Sequence, residues 1–312
     1  TFGIFLSELL TLRQIFGNPT LWHITWLIPG IVAIVFCAVF IFFPESPRYL
    51  LLTKNDEEKA RENLKKLRTS DEAVEEEIKE MIVESSNIAV SNLTWKELFQ
   101  QKSLSKPLAI MFISFFVCQF SGINVIFTFS RNIYASAKIP EDKIPYASMG
   151  TGIVNCVATI IAIPFVDILG RRPLLIWPLL GIIVTLILEV ISLVYSVSIL
   201  SVLAVYLFII FFAISFGIVP QALMVEYFRQ DVRSKAAAGG VLIANVANFF
   251  AFWVFKPAVE NPAAKNYILL VFAGICFFGF IFLFFYIPET KNKTYNENSI
   301  ALSNWNTVFS KS

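Results

Sequence analysis

Charge is scarce in this chain. Among 312 residues only 15% are Asp, Glu, Lys or Arg, well under the roughly 25% of soluble domains. Histidine occurs once, at His23 near the outer edge of an apolar run, where an interfacial place is expected. The four cysteines, Cys37, Cys118, Cys156 and Cys276, all sit inside apolar runs, so they read as buried membrane thiols and not as a disulfide framework. The sequence shows no metal-ligand cluster, phosphate-cradling loop or nucleophile–base pair, which argues against an enzyme and against a cofactor. The net charge of +2 says little about partners, and no stretch of the sequence reads as a nucleic-acid surface.

What fills the space is hydrocarbon. Hydrophobic residues make up 56% of the chain, Phe alone occurs 32 times, and the mean hydropathy is +0.69. So much apolar surface requires lipid as its solvent. Runs of about 20 residues, long enough to cross a bilayer as helices, fall at 21–43, 107–133, 146–168, 173–195, 199–225, 235–258 and 267–287. Residues 1–12 read as the tail of another span, and the chain is expected to begin inside a longer protein.

Basic residues give the orientation. Arg171 and Arg172, then Arg229, Arg233 and Lys235, then Lys291 and Lys293 follow alternate spans, whereas 196–199 carries no charge and 256–266 is mixed. The positive-inside rule places 44–106, 169–172, 226–235 and the C-terminus in the cytoplasm. Residues 49–106 differ in kind. Glu57–Arg61 and Glu62–Lys66 are spaced i,i+4, with apolar stripes at Ala60, Leu64 and Leu67 and at Val74, Ile78 and Met81. Capping-box spacing occurs at Asn55–Glu58 and Thr94–Glu97, so short amphipathic helices are expected here.

Two spans end in the same punctuation: "PESPRYLL" at 44–51 and "PETKNKTYNE" at 288–297. Proline stops each helix and Glu adds a charge at the boundary. The two sites close the first full span and the last, six helices apart, as a repeated six-helix unit requires. Together with "GRRP" at 170–173 and "VEYFRQDVRSKAAA" at 225–238, these segments resemble the cytoplasmic motifs of sugar transporters in the major facilitator superfamily. "QFSGIN" at 119–124 and "GTGIVN" at 150–155 resemble sugar-site segments of its facilitative hexose transporters.

The resemblance covers nearly the whole chain and implies an all-α multi-pass membrane protein of the major facilitator fold. It divides the chain into the end of an N-terminal half (1–43), a cytoplasmic helical linker (44–106), a C-terminal six-helix half (107–287) and a cytoplasmic tail (288–312). It implies facilitated diffusion of a hexose or related small polyol by alternating access, and the plasma membrane is the expected location. The implied partners are the sugar, the bilayer and an N-terminal half preceding this segment. A proton-coupled symporter and a non-transporting sugar sensor stay open as alternatives.

By resemblance, Gln119, Asn124, Asn155 and Asn248 contact substrate, with Gln221 and Asn245 beside them; amides suit the hydroxyls of an uncharged sugar. A cytoplasmic salt-bridge network is implied for Glu45, Arg48, Asp167, Arg171, Arg172, Glu226, Arg233 and Glu289. Gly122, between Gln119 and Asn124, is placed to loosen the helix near the ligand. The pattern departs from the family's at Cys118, at Phe115-Phe116-Val117, at Ala213, at Ala244-Asn245 and at Gln221, which stands where the family has Trp. Glu189 is the one carboxylate well inside a span, as a proton-coupling group, a cavity-facing acid or an acid near the outer interface. Two sequons, Asn92-Leu93-Thr94 and Asn292-Lys293-Thr294, fall on the cytoplasmic side. Neither is expected to carry a glycan; a mobility shift on glycosidase treatment overturns this orientation.

Overall fold

The computed structural model describes residues 1–52, 54–88, 94–228, 230–261, 264–291 and 293, without the side chains of 52, 83–88, 102, 103, 167, 230, 231, 259 and 260. Both sequons and Arg229 therefore lie, wholly or in part, outside the described residues. In chain order the helices are α1 (Phe2–Leu10), α2 (Trp22–Phe40), α3 (Pro47–Leu52), α4 (Glu57–Lys65), α5 (Asp71–Ile88), α6 (Trp95–Gln100) and α7 (Lys102–Phe120). They continue as α8 (Ile123–Ser136), α9 (Ile144–Leu169), α10 (Arg171–Tyr195), α11 (Ser198–Ile214), α12 (Val219–Tyr227), α13 (Gln230–Glu260) and α14 (Ile268–Tyr286). Among the described residues seven stretches are long and apolar enough to cross a membrane, and they coincide with the seven spans expected from the sequence. Two of them are broken helices: α7 with α8, and α11 with α12.

The chain divides into two compact units, Thr1–Trp22 with Glu97–Ser312, and His23–Lys96. In the larger unit α10 packs between α11 and α14, α13 and α14 lie against α7, and α9 joins α1 to α11. Aliphatic and aromatic side chains fill these seams. Phe129 of α8 lies tilted against Phe255 of α13 at 5.0 Å between ring centroids, and Phe255 lies 6.1 Å from Phe272 of α14. Outward faces remain apolar, with Trp253, Phe278 and Ile160 exposed, as a lipid-facing surface requires.

The smaller unit carries α2, whose described surface is apolar and unburied, and the linker helices. Leu50, Leu51, Ala60, Leu64, Val74, Ile78 and Met81 form a core of their own. Both expected i,i+4 pairs are present, Glu57–Arg61 at 2.9 Å and Glu62–Lys66 at 3.2 Å. Arg61 also reaches Glu75, and Arg68 grips both oxygens of Glu77 at 2.8 and 3.0 Å, which ties α4 to α5.

Three local expectations are corrected. The cap of α4 is Asp56, not Asn55: Asp56 accepts the Lys59 N–H at 3.2 Å, while Asn55 takes a left-handed turn with φ 53°. The hydrogen bonds from Lys59 hold the Asp56 carboxyl below its ordinary range. Leu67 lies past the end of α4 and is exposed, so it leaves the buried stripe. Cys118 and Cys276 are buried thiols as expected, but Cys37 is exposed on α2 and Cys156 only half-buried. Because Ile78 is 1% exposed within this small core, Ile78→Ala is expected to cost the linker helices about 2–5 kcal/mol. Limited proteolysis checks this: cleavage within 44–88 should quicken while the membrane spans stay protected.

Candidate functional site

The site is built where the first broken helix turns. α7 ends at Phe120, and Ser121 and Gly122 interrupt the ladder before α8 begins. Gly122 has φ 85°, a conformation an L side chain resists, and it lies in van der Waals reach of the Phe272 ring. The turn satisfies its own polar groups: the Gly122 N–H donates to Gln119 O at 3.2 Å and Ser121 Oγ to Cys118 O at 2.6 Å.

This break brings the amides together. Asn124 Nδ2 donates to Gln119 Oε1 at 2.9 Å and to Asn248 Oδ1 of α13 at 3.0 Å. Gln119 and Asn124 are only five residues apart, whereas Asn248 is 124 residues on from Asn124. Asn155 is buried on α9, where its carbonyl accepts from Thr159 Oγ1 at 2.7 Å. Asn245 stands apart from the cluster, exposed and turned onto its own helix, with Nδ2 donating to Val241 O at 2.8 Å. Gln221 is exposed on α12. Three of the six expected substrate residues are thus hydrogen-bonded to one another.

The charged residues gather where α9 gives way to α10. Gly170, with φ 88°, forms the corner, and a Cβ on it would meet Glu289 Oε2 at 2.6 Å. Glu289 fills that space. Its carboxylate accepts the backbone N–H of Arg171 at 3.0 Å and of Arg172 at 3.2 Å, together with those of Thr290 at 2.9 Å and Lys291 at 3.0 Å. A carboxylate at a helix N-terminus satisfies donors that have no partner within the helix and meets the positive end of its dipole.

Arg171 Nε pairs with Glu226 Oε1 of α12 at 2.7 Å, with the two side chains 15% and 21% exposed. Thr290 Oγ1 donates to the other oxygen of Glu226. Arg172 Nη2 reaches Phe284 O at 3.0 Å, and Arg233 donates to the carbonyls of Val225 and Phe228 at the end of α12. Asp167 lies in α9, but its side chain falls outside the described residues. In the smaller unit, Glu45 pairs with Lys54 at 3.2 Å and its carbonyl accepts from Asn63 at 3.0 Å. Arg48 begins α3 with Pro47.

A profile described as "Sugar (and other) transporter" matches residues 1–302. The chain belongs to this family. The members of that family are described as sugar and other transporters. The chain is 34% identical over 304 residues to the pig (Sus scrofa) solute carrier family 2 facilitated glucose transporter member 2, covering 95% of this chain and 56% of that one. Against the human (Homo sapiens) member 5 the identity is 33% over 317 residues, covering 99% and 62%. The chain thus spans a little over half the length of these curated relatives. Among solved structures, the proton:xylose symporter XylE bound to 6-bromo-6-deoxy-D-glucose superposes with a TM-score of 0.73 at 23% identity, covering 98% of this chain and 63% of that chain. That likeness shows the fold.

Sequence reasoning did not foresee that Glu289 caps α10. It placed Glu289 among salt bridges, and no local signal names the helix that a distant acid will cap. Thr290, bonded to Glu226, was also missed. Glu289→Ala is expected to destabilise the protein by about 1–3 kcal/mol, the cost of leaving buried donors without a charged acceptor. The measurement is the thermal midpoint in detergent, which should fall further for Glu289→Ala than for Glu289→Gln; equal midpoints for Glu289→Ala and the unaltered protein would refute the cap.

Proposed function

We propose that this protein moves a hexose or related small polyol by facilitated diffusion, through alternating access, in the plasma membrane. The observation that supports it best is the amide cluster of Asn124, Gln119 and Asn248 at a helix break. Each of these amides offers a donor and an acceptor. An arriving sugar exchanges its hydroxyls for the bonds the amides make to one another, so desolvating the site costs little. Asn155 of α9, with Gln221 and Asn245, extends the reading to the other faces of the substrate.

In this reading 1–43 closes an N-terminal half, 44–106 is the cytoplasmic linker, 107–287 is the C-terminal half and 288–312 is the cytoplasmic tail. Glu45, Arg48, Asp167, Arg171, Arg172, Glu226, Arg233 and Glu289 form the cytoplasmic gate. Ion pairs that are partly exposed contribute about 0–1 kcal/mol each, weak enough to part during each cycle. The Arg171–Glu226 pair, more enclosed than most, is the strongest candidate to hold the closed state.

A second reading is a non-transporting sugar sensor. It is favoured by Asn245 being turned onto its own helix and Gln221 standing outside the amide cluster.

Exchange of labelled hexose across vesicles carrying the protein separates these readings. Saturable exchange is expected, unaffected by dissipating a pH gradient; a collapse with the gradient favours the proton-coupled symporter, and no exchange favours the sensor. Asn124→Ala should weaken apparent affinity roughly tenfold, since stranding a hydrogen-bond partner costs about 1–3 kcal/mol. Arg171→Ala with Arg172→Ala should leave the protein inserted and lower maximal flux, and unaltered flux in that double variant would sink the gate.

A further inference from the structure

Away from the amide cluster, a second polar centre lies inside the helix packing. Glu189 on α10 is 2% exposed, so it neither faces an open cavity nor reaches the outer interface. Its Oε1 accepts a hydrogen bond from Ser201 Oγ of α11 at 2.7 Å. Its Oε2 is buried without a hydrogen-bond partner, and so are Ser192 Oγ, one turn along α10, and Tyr134 OH of α8. Ser192 and Tyr134 are both fully buried. Ser192 is nonetheless close enough to Glu189 for its hydroxyl to act on the carboxyl, and polar atoms buried this deeply are normally paired.

The charges around Glu189 decide what the centre can hold. Among the described residues no charged side chain of any neighbouring helix acts on it; its polar neighbours are Ser201 and Ser192. From α8 the titratable neighbour is Tyr134, which also feels Tyr206 of α11 and Glu8 of α1. Glu8 in turn is within electrostatic reach of Arg131 of α8. Arg131, with Arg13, Glu141 and Lys265, lines a cavity of about 520 Å³. A carboxylate enclosed in hydrocarbon with no cation beside it takes up a proton instead of holding its charge.

We propose that Glu189, with Ser192, Ser201 and Tyr134, is a proton-binding site within the six-helix half, reached from the Arg131 cavity by way of Tyr134. The site does not rest on the transport reading. Loaded, Oε2 carries the proton and turns it towards Ser192 Oγ, while Oε1 accepts from Ser201. On release, the O–H bond at Oε2 breaks and the proton passes to a water that reaches Tyr134, leaving as hydronium through the cavity. The carboxylate left behind accepts from the hydroxyls of Ser201, Ser192 and Tyr134, the three donors available to it. A second line of hydroxyls, with Ser130 of α8 at 3.4 Å from Ser148 of α9 and Tyr206 donating to Ala147 O at 3.1 Å, keeps the seam polar.

Infrared spectroscopy of the protein in lipid nanodiscs tests the site without any measurement of sugar. At neutral pH the unaltered protein should show the carbonyl stretch of a protonated carboxyl, absent from Glu189→Gln, shifting in heavy water and fading as the pH is raised. Tyr134→Phe should keep the band but slow its shift in heavy water several-fold. Should Glu189→Gln fail to insert, Ser201→Ala retains the carboxyl and must move the same band by removing the hydroxyl bonded to it. No such band at neutral pH, a band untouched by both heavy water and alkali, an unaltered exchange rate in Tyr134→Phe, or a band indifferent to Ser201→Ala would each overturn the proposal. Lost sugar exchange with the band intact would count against the transport reading alone.

Discussion

In hydrocarbon no water stands ready to bond a backbone N–H or C=O, so every interruption of a helix must supply its own partners. The rest of this structure depends on that constraint. Unbroken helices meet it automatically; the informative places are the interruptions. At Gly122 the chain turns using a left-handed residue and bonds back to Gln119. At 215–218 the Gly217 N–H bonds to Phe212 O at 2.9 Å, and Ser215 Oγ reaches Leu175 O at 3.2 Å. At the corner between α9 and α10, where the sequence expects the membrane boundary, the partner is the Glu289 carboxylate, more than a hundred residues on. The amide cluster of the candidate site sits at the first of these breaks.

The two similar punctuations meet this constraint differently. Glu289 bonds backbone donors at the start of α10 and sits beside a Thr290–Glu226–Arg171 chain. Glu45 is half exposed and pairs with Lys54 nine residues on, within its own unit. The same proline–glutamate pair therefore ends both helices, but what the carboxylate bonds to depends on which donors the surrounding packing leaves open. A proline stop is a local property of the chain, whereas an acceptor's partner is chosen among everything within reach.

Much of the fold was legible because its determinants are local. Span length and the i,i+4 pairs of the linker both follow from neighbours in sequence, and each appears in the structure. Gly122 was legible for the same reason, being the residue type that tolerates φ 85°. The cap of α4 was misplaced by one residue because Asn55 and Asp56 are chemically equivalent caps, and only the turn geometry selects between them. Leu67 was misread because the helix ended at Lys65, before the stripe did.

By itself the sequence determined a bundle of apolar membrane-spanning helices with an amphipathic linker, because the free energy of moving apolar surface from water depends on composition and spacing alone. It also supplied the amide residues of the candidate site. Only the tertiary structure decided which of them meet: Asn124 with Gln119 and Asn248, while Asn245 bonds its own helix. Only the tertiary structure closed Ser201 onto Glu189 and Glu289 onto the N–H groups of α10. Hydrogen bonds act over about 3 Å, and residues separated by tens of positions come that close only once the helices have packed.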